Sequence, residues 1–455
     1  MAIDHPRESQ AREAFDALLT EPVLADARTR LEAGLLEHHM SFHGHTVCNV
    51  LRPLFLSEES VDALSSSTRL VASAIHKVSS TLLRDASLRR RIGMGPERER
   101  LLAFDRQPST ELLARLDGFR NEQGTVQFIE YNPGTPGGFV FSDILSELFE
   151  SMDAIKCLGE KLPLRSLRMA HHVPGALLSS CRSAGLAGRP RLTIIATSAE
   201  SAGIETMTEL SVIRGLLMNA GFELHLSHAQ AIHRGPDGLY DGALRLDAVL
   251  VLDWEELIAQ LPPEHGFWQC VEDGSVHLIN SLANWYLRGN KAVFSLLSDP
   301  EFSGLFDTTT NRALDAHIPW TRLLREGHTV RAGRALDLLP YVLEQRSELV
   351  LKPAYSYGGQ GVVLGWTVDD ATWSAAVMAA LGSEPHVVQE RVHLAQQMFP
   401  CLIAGDVTQQ SRYYDINPYI WNESRVEGMM VRVSADPLLN VTAGTGSMTA
   451  PFICR

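Results

Sequence analysis

Between Glu348 and Gly365 the chain reads Glu-Leu-Val-Leu-Lys-Pro-Ala-Tyr-Ser-Tyr-Gly-Gly-Gln-Gly-Val-Val-Leu-Gly, an apolar strand, a glycine-rich turn and a second strand. Lys352 stands at the end of the first strand, where it can offer a point charge to phosphates. Gly358, Gly359 and Gly361, with Gln360 between them, let backbone N–H groups approach phosphate oxygens with no Cβ in the way. The stretch is not a P-loop, because no Gly-Lys-Ser/Thr follows. It is not the dinucleotide fingerprint either, because a strand rather than a helix follows the glycines. Taken alone it also suits a plain glycine hairpin carrying an incidental lysine.

The rest of the chain narrows the class by exclusion. Its 455 residues suffice for two or three domains, and 45% hydrophobic with 21% charged residues is ordinary for a globular protein. A net charge of −14 argues against nucleic-acid and anionic-membrane partners, which need clustered Lys and Arg. The densest basic run, Arg89, Arg90 and Arg91 followed by Arg98 and Arg100, has the spacing of a solvated helix face. Six scattered cysteines contain no CxxC pair, so reduced thiols are expected and neither zinc nor a disulfide framework is suggested. No long apolar stretch is present, and the first residues are charged where a secretory signal would be apolar, so a cytoplasmic protein is expected.

Periodicity divides the chain into a helical N-terminal region, 1–105, with apolar residues at helical spacing such as Val71, Ile75, Val78 and Leu82. Residues 106–160 hold a strand–turn–strand pattern over Leu112 to Asn132, then a Gly/Pro loop from Pro133 to Gly138 and a helix. Within 161–290 strands and helices alternate, which implies a small parallel-sheet unit. Ligands sit beyond the carboxyl ends of such strands, making Thr197 to Glu205 a candidate substrate loop. Residues 291–455 are strand-rich and include His386-Val-Val-Gln-Glu-Arg-Val, a short strand turning polar at Gln389 and Glu390. Such a hinge can serve a nucleotide base and ribose, although an amphipathic strand end reads the same way.

The order lysine strand, glycine hairpin, Gln-Glu hinge resembles the ATP-grasp superfamily, and within it the circularly permuted branch that includes the synthetase domain of glutathionylspermidine synthase. That branch carries its metal strands near the front, as an Arg-x-Asp strand followed by one reading Leu-Glu-Tyr-Asn. Arg115-Leu-Asp117 and Phe-Ile-Glu130-Tyr-Asn132-Pro-Gly-Thr-Pro match it here. Glu130 and Asn132 are two apart on one strand and share a face, and Asp117 can reach that face from the partner strand. The three are hard oxygen donors suited to Mg²⁺.

Asn290-Lys291-Ala292 resembles the branch's second phosphate lysine. Gly428-Met-Met-Val-Arg432, with Asn440 and Pro451 following, resembles its closing arginine strand. The matches are islands covering about a quarter of the chain, no amidase half precedes them, and the central unit agrees only in pattern.

The resemblance implies an α+β, circularly permuted ATP-grasp fold and an ADP-forming carboxylate–amine ligase working through an acyl phosphate. ATP and Mg²⁺ are the implied cofactors. Lys291, Lys352, Gly358, Gly359, Gln360, Gly361, Gln389 and Glu390 would hold the nucleotide, Asp117, Glu130 and Asn132 the metal, and Arg115 and Arg432 the developing charge. The partners expected are small-molecule or peptide acids and amines, with neither nucleic acid nor membrane, and a homodimer as an open assembly state. Two other outcomes stay open: phosphorylation of a small molecule by the same fold, and nucleotide binding without turnover. A second acid–asparagine pair, Asp415-Ile-Asn417-Pro418, would restore the unpermuted order, but lies only 25 residues beyond Glu390. On the permuted assignment Asp415→Ala is expected to be mild.

Overall fold

The computed structural model describes residues 5–42, 45–197, 208–356, 358–439 and 446–455. Of the candidate substrate loop only Thr197 lies within the described residues, and Asn440 lies outside them.

The strand–turn–strand pattern is an antiparallel hairpin of Leu113–Arg120 and Val126–Asn132. At its turn the Asn121 side chain accepts the backbone N–H groups of Gln123 and Thr125, at 3.1 and 2.9 Å. This local hydrogen bonding lets the polar tetrad replace a ladder with a turn. The hairpin does not stand alone. Leu113–Arg120 pairs with Asn417–Trp421, and the sheet continues through Arg425–Ser434, Asp406–Tyr414 and Gln396–Ile403, with Gly446–Thr449 added to the Arg425–Ser434 strand. Segments some 300 residues apart in sequence are thus neighbours in one sheet.

Among the described residues six smaller sheets join it, and three of them frame the site and the chain ends. Thr321–Leu323, His386–Glu390, Leu349–Pro353 and Val363–Leu364 form an antiparallel sheet holding the lysine strand and the hinge. Its own core of Trp320, Leu338, Val342, Leu351, Trp373 and Val388 packs beneath helices Leu338–Glu344 and Asp370–Leu381. His277–Leu278, Ala248–Val251, Leu192–Ala196 and Leu224–His228 make a parallel sheet in that order. Leu192–Ala196 is buried at every position, as expected of a strand covered on both faces. Finally Leu54–Ser57, Pro451–Cys454 and Leu164–Ser166 tie the two ends of the chain together.

Among its described residues the N-terminal region supplies five helices, the longest Glu58–Arg84. Its N-cap is Ser57, whose side chain accepts from the Ser60 N–H at 3.0 Å. Leu64, Val71, Ile75, Val78 and Leu82 form one buried stripe. That stripe packs on the strands Asn417–Trp421 and Arg425–Ser434 and on helices Leu282–Arg288 and Thr308–His317. The helical region therefore backs the large sheet and leaves the sheet's other parts to form the site. Among the described residues no helix is long and apolar enough to cross a membrane.

Candidate active site

A cavity of about 610 Å³ lies where the large sheet, the lysine sheet and the carboxyl end of the parallel strand Ala248–Val251 meet. Its wall includes Arg115, Asp117, Glu130, Asn132, Lys291, Lys352, Gly358, Gly359, Gln389, Glu390 and Arg432. Of the residues expected to hold nucleotide, metal or developing charge, Gln360 and Gly361 stay outside the wall, exposed in the glycine turn.

The hairpin register decides which side chains converge. Arg115 stands opposite Asn132 and Asp117 opposite Glu130, and a bulge follows Asp117. Directly opposed residues share a face, so all four point together. Their partners differ. Arg115 donates Nε to Asp117 Oδ1 at 2.6 Å and Nη1 to the Gly137 carbonyl at 3.0 Å. Arg432 Nη2 reaches Asp117 Oδ2 at 2.8 Å. Burial works against the Asp117 carboxylate, but the two guanidinium groups prevail and hold its pKa at about 2. Both of its oxygens are therefore committed to arginine. Glu130 pairs with Lys291 at 3.3 Å and also feels the charge of Lys352. The Asn132 Nδ2 is buried and meets no acceptor.

The two lysines are set by different devices. Asn290 is fully buried, takes the Ala292 N–H on its Oδ1 at 2.8 Å and donates Nδ2 to the Tyr355 hydroxyl at 2.8 Å. It thereby fixes the turn into the short helix Val293–Leu297, and Lys291 Nζ reaches the Ser356 carbonyl. Lys352 donates to Gln389 Oε1 at 2.7 Å, and Gln389 Nε2 is held in turn by Thr321 Oγ1 at 3.0 Å. Burial pushes the Lys352 ammonium down to about 8, against the pull of Glu130 and with the push of Lys291. Gln389 is thus a lysine holder, and Glu390 pairs with Arg331. Gly358, Gly359 and Gly361 have φ of 63°, 73° and 70°, a left-handed run that glycine takes without a Cβ penalty.

Several residues that periodicity did not single out hold the loop 133–138 against the cavity. Glu111, buried, accepts the Gly134 N–H at 2.9 Å and the Tyr131 hydroxyl at 2.7 Å, with Arg288 Nη1 at 3.2 Å. From the other side Glu209 accepts the N–H groups of Gly138 at 2.8 Å and Val140 at 3.1 Å, at the start of helix Phe139–Ser151. Thr135, between them, has φ of +68°, a strained value for a β-branched residue. Gly138 has φ of +99°, and a Cβ there would lie 2.5 Å from Met430 Sδ. At the far end of the cavity Asp253, Glu255, Trp285 and Tyr355 complete the wall. The carboxyl-end rule for parallel strands could have pointed to Asp253 and Glu255, which follow Ala248–Val251 directly.

Two sheets closing on a lysine-, arginine- and carboxylate-lined cavity, beside a small parallel sheet, make an ATP-grasp-like fold. The glutathione synthetase-like effector of Globodera pallida, in its apo form, superposes with a TM-score of 0.66 at 13% identity, covering 95% of this chain and 97% of that one. A putative gamma-glutamylcysteine synthetase from Methylobacillus flagellatus gives 0.43 at 14% identity over 78% of this chain and 84% of its own. The D-alanyl-alanine synthetase A of Vibrio cholerae gives 0.24 at 12% over 52% and 87%. No protein-family model and no curated protein matches the sequence. At 13% identity the likeness to the Globodera pallida effector is one of fold.

Proposed function

We propose that this chain is an ADP-forming ligase that activates a carboxylate as an acyl phosphate and transfers the acyl group to an amine. The observation that carries the reading is the convergence on one cavity of Lys291, Lys352, Glu130, Asn132 and Arg432, drawn from four separate stretches of chain. The likeness to a glutathione synthetase-like effector supports the same class. The hairpin's place at the front of the chain, with its closing strands at the end, favours the circularly permuted arrangement.

In this reading Lys291 and Lys352 hold the nucleotide phosphates from two sides, and the glycine turn covers them. Mg²⁺ would be held by the Glu130 carboxylate and the Asn132 side-chain oxygen, hard oxygen donors that share one face of the strand Val126–Asn132. The metal would supply charge neutralisation at the transferring phosphoryl group. Arg432 stabilises the charge that develops as the substrate carboxylate attacks and again as the amine enters. Arg115 acts one step back, bracing Asp117 and the Gly137 carbonyl. Asp253 and Glu255 offer negative charge to an ammonium group of the second substrate. Because most of the catalytic effect is positioning, turnover is expected to be sensitive to small displacements of these groups.

The test is ADP release across a panel of small acids, peptides and amines. Release that requires both an acid and an amine is expected, and Glu130→Ala or Asn132→Ala should abolish it with the circular dichroism spectrum intact. Phosphorylation of a single compound with no amide formed would replace this reading by a small-molecule kinase.

A further inference from the structure

Arg432 reaches the cavity wall between two carboxylates from distant parts of the chain. Asp117, on the hairpin, takes Nη2 at 2.8 Å while Arg115 occupies its other oxygen at 2.6 Å. Asp415 is fully buried and accepts both the Arg432 backbone N–H, at 2.7 Å, and Nε, at 2.6 Å. Asp415 is itself braced: Asn417 Nδ2 donates to its Oδ1 at 2.7 Å, and Asn417 Oδ1 takes the Gly118 N–H at 3.1 Å, next to the hairpin bulge. Arg432 lines the cavity and Asp415 does not. The acid thus sits behind the arginine, where it can act only through it.

A guanidinium gripped at Nε by one carboxylate and at Nη2 by another is fixed in direction as well as place. The geometry points to Asp415 and Asp117 as the two positioning residues of Arg432, with Asn417 locking Asp415, and to Glu130 and Asn132 as the metal donors without Asp117. A cation taking Asp117 would have to displace two arginine contacts. On this assignment Asp415→Ala is severe, where the permuted assignment alone led to the expectation of a mild effect. It rests on the ligase reading, because the group Arg432 would face is the transferring phosphoryl.

The test uses the full chain and needs no knowledge of the acid or the amine. Binding of ADP with Mg²⁺ is measured by calorimetry with and without aluminium fluoride, a mimic of the transferring phosphoryl group, and Mn²⁺ binding to the ADP complex is followed by electron paramagnetic resonance. In Asp415→Asn and in Asp117→Asn, ADP and Mn²⁺ affinities should stay within about threefold of wild type, which also reports a folded chain. The extra affinity conferred by aluminium fluoride should fall by about tenfold or more, the range for a lost transition-state donor. Once substrates are known, kcat should fall in parallel with KM for ATP nearly unchanged. Full retention of the aluminium fluoride effect in Asp415→Asn would overturn the role given to Asp415. A tenfold loss of Mn²⁺ affinity in Asp117→Asn would restore Asp117 as a ligand and overturn the rest. If even the wild type binds no ADP, the ligase reading itself falls, and the proposal with it.

Discussion

On the proposed reading, Lys352 is a buried charge that serves a ligand at the expense of the empty protein. Desolvation lowers its pKa from 10.5 to about 8, with Glu130 and Asp117 opposing and Lys291 reinforcing the shift. Between pH 8 and 10.5 the unfolded chain holds more protons at this position than the folded one. The folded state therefore gains stability from this group as pH rises through that window, and carries the full cost of the buried ammonium below it. Nucleotide phosphates need the charged form, so the opposite trend is expected for binding. Affinity for ATP should be flat below pH 8 and fall by up to about tenfold per unit above it. Lys352→Arg, which stays protonated, should remove that slope. Titration calorimetry at pH 7.5, 8.5 and 9.5 reads both; a wild-type affinity independent of pH would assign the phosphate contact elsewhere.

At the scale of elements, the antiparallel sheet with the lysine strand has its own core, separate from the main one, around Trp373. That indole is fully buried, and its Nε1 donates to the Val342 carbonyl at 2.9 Å. Trp373→Ala should cost about 3–5 kcal/mol, expressed first in this unit. Limited proteolysis should then cut within 338–390 before the rest of the chain, whereas uniform susceptibility would mean the unit has no separate cooperativity. The strands around it were readable because their cues are local: an apolar run ending in lysine, a glycine turn, a period of two at Glu130 and Asn132. The braces were not. Glu111, Glu209 and Asp415 meet partners 23, 71 and 17 residues away, and no local periodicity marks an acid that will be buried against a distant N–H or guanidinium. The Asp415-Ile-Asn417 pair was visible as a motif, but its task became legible only once Arg432 and the hairpin lay beside it in one sheet.

For the whole molecule, the joining of residues 113–132 to the C-terminal strands makes the site depend on global folding, since neither end of the chain contains it alone. Two half-buried histidines should govern the acid limit of that fold. His76, bonded to the Tyr131 hydroxyl at 3.1 Å, and His277, bonded to Ser180 Oγ at 3.1 Å, are both pushed down to about 4, chiefly by burial. Below pH 6.5 the unfolded chain takes up protons that these groups refuse, so stability should fall between pH 6.5 and 4. Urea midpoints for wild type and His277→Gln over that range would reveal a shallower decline in the variant, and identical declines would move the acid sensitivity to other groups. The central claim remains the acyl phosphate. Once an acid and amine pair supports turnover, the acid is labelled with ¹⁸O in its carboxylate and the released phosphate is analysed by mass spectrometry. One ¹⁸O transferred to phosphate per turnover is the predicted result, and phosphate free of label while amide accumulates would contradict it.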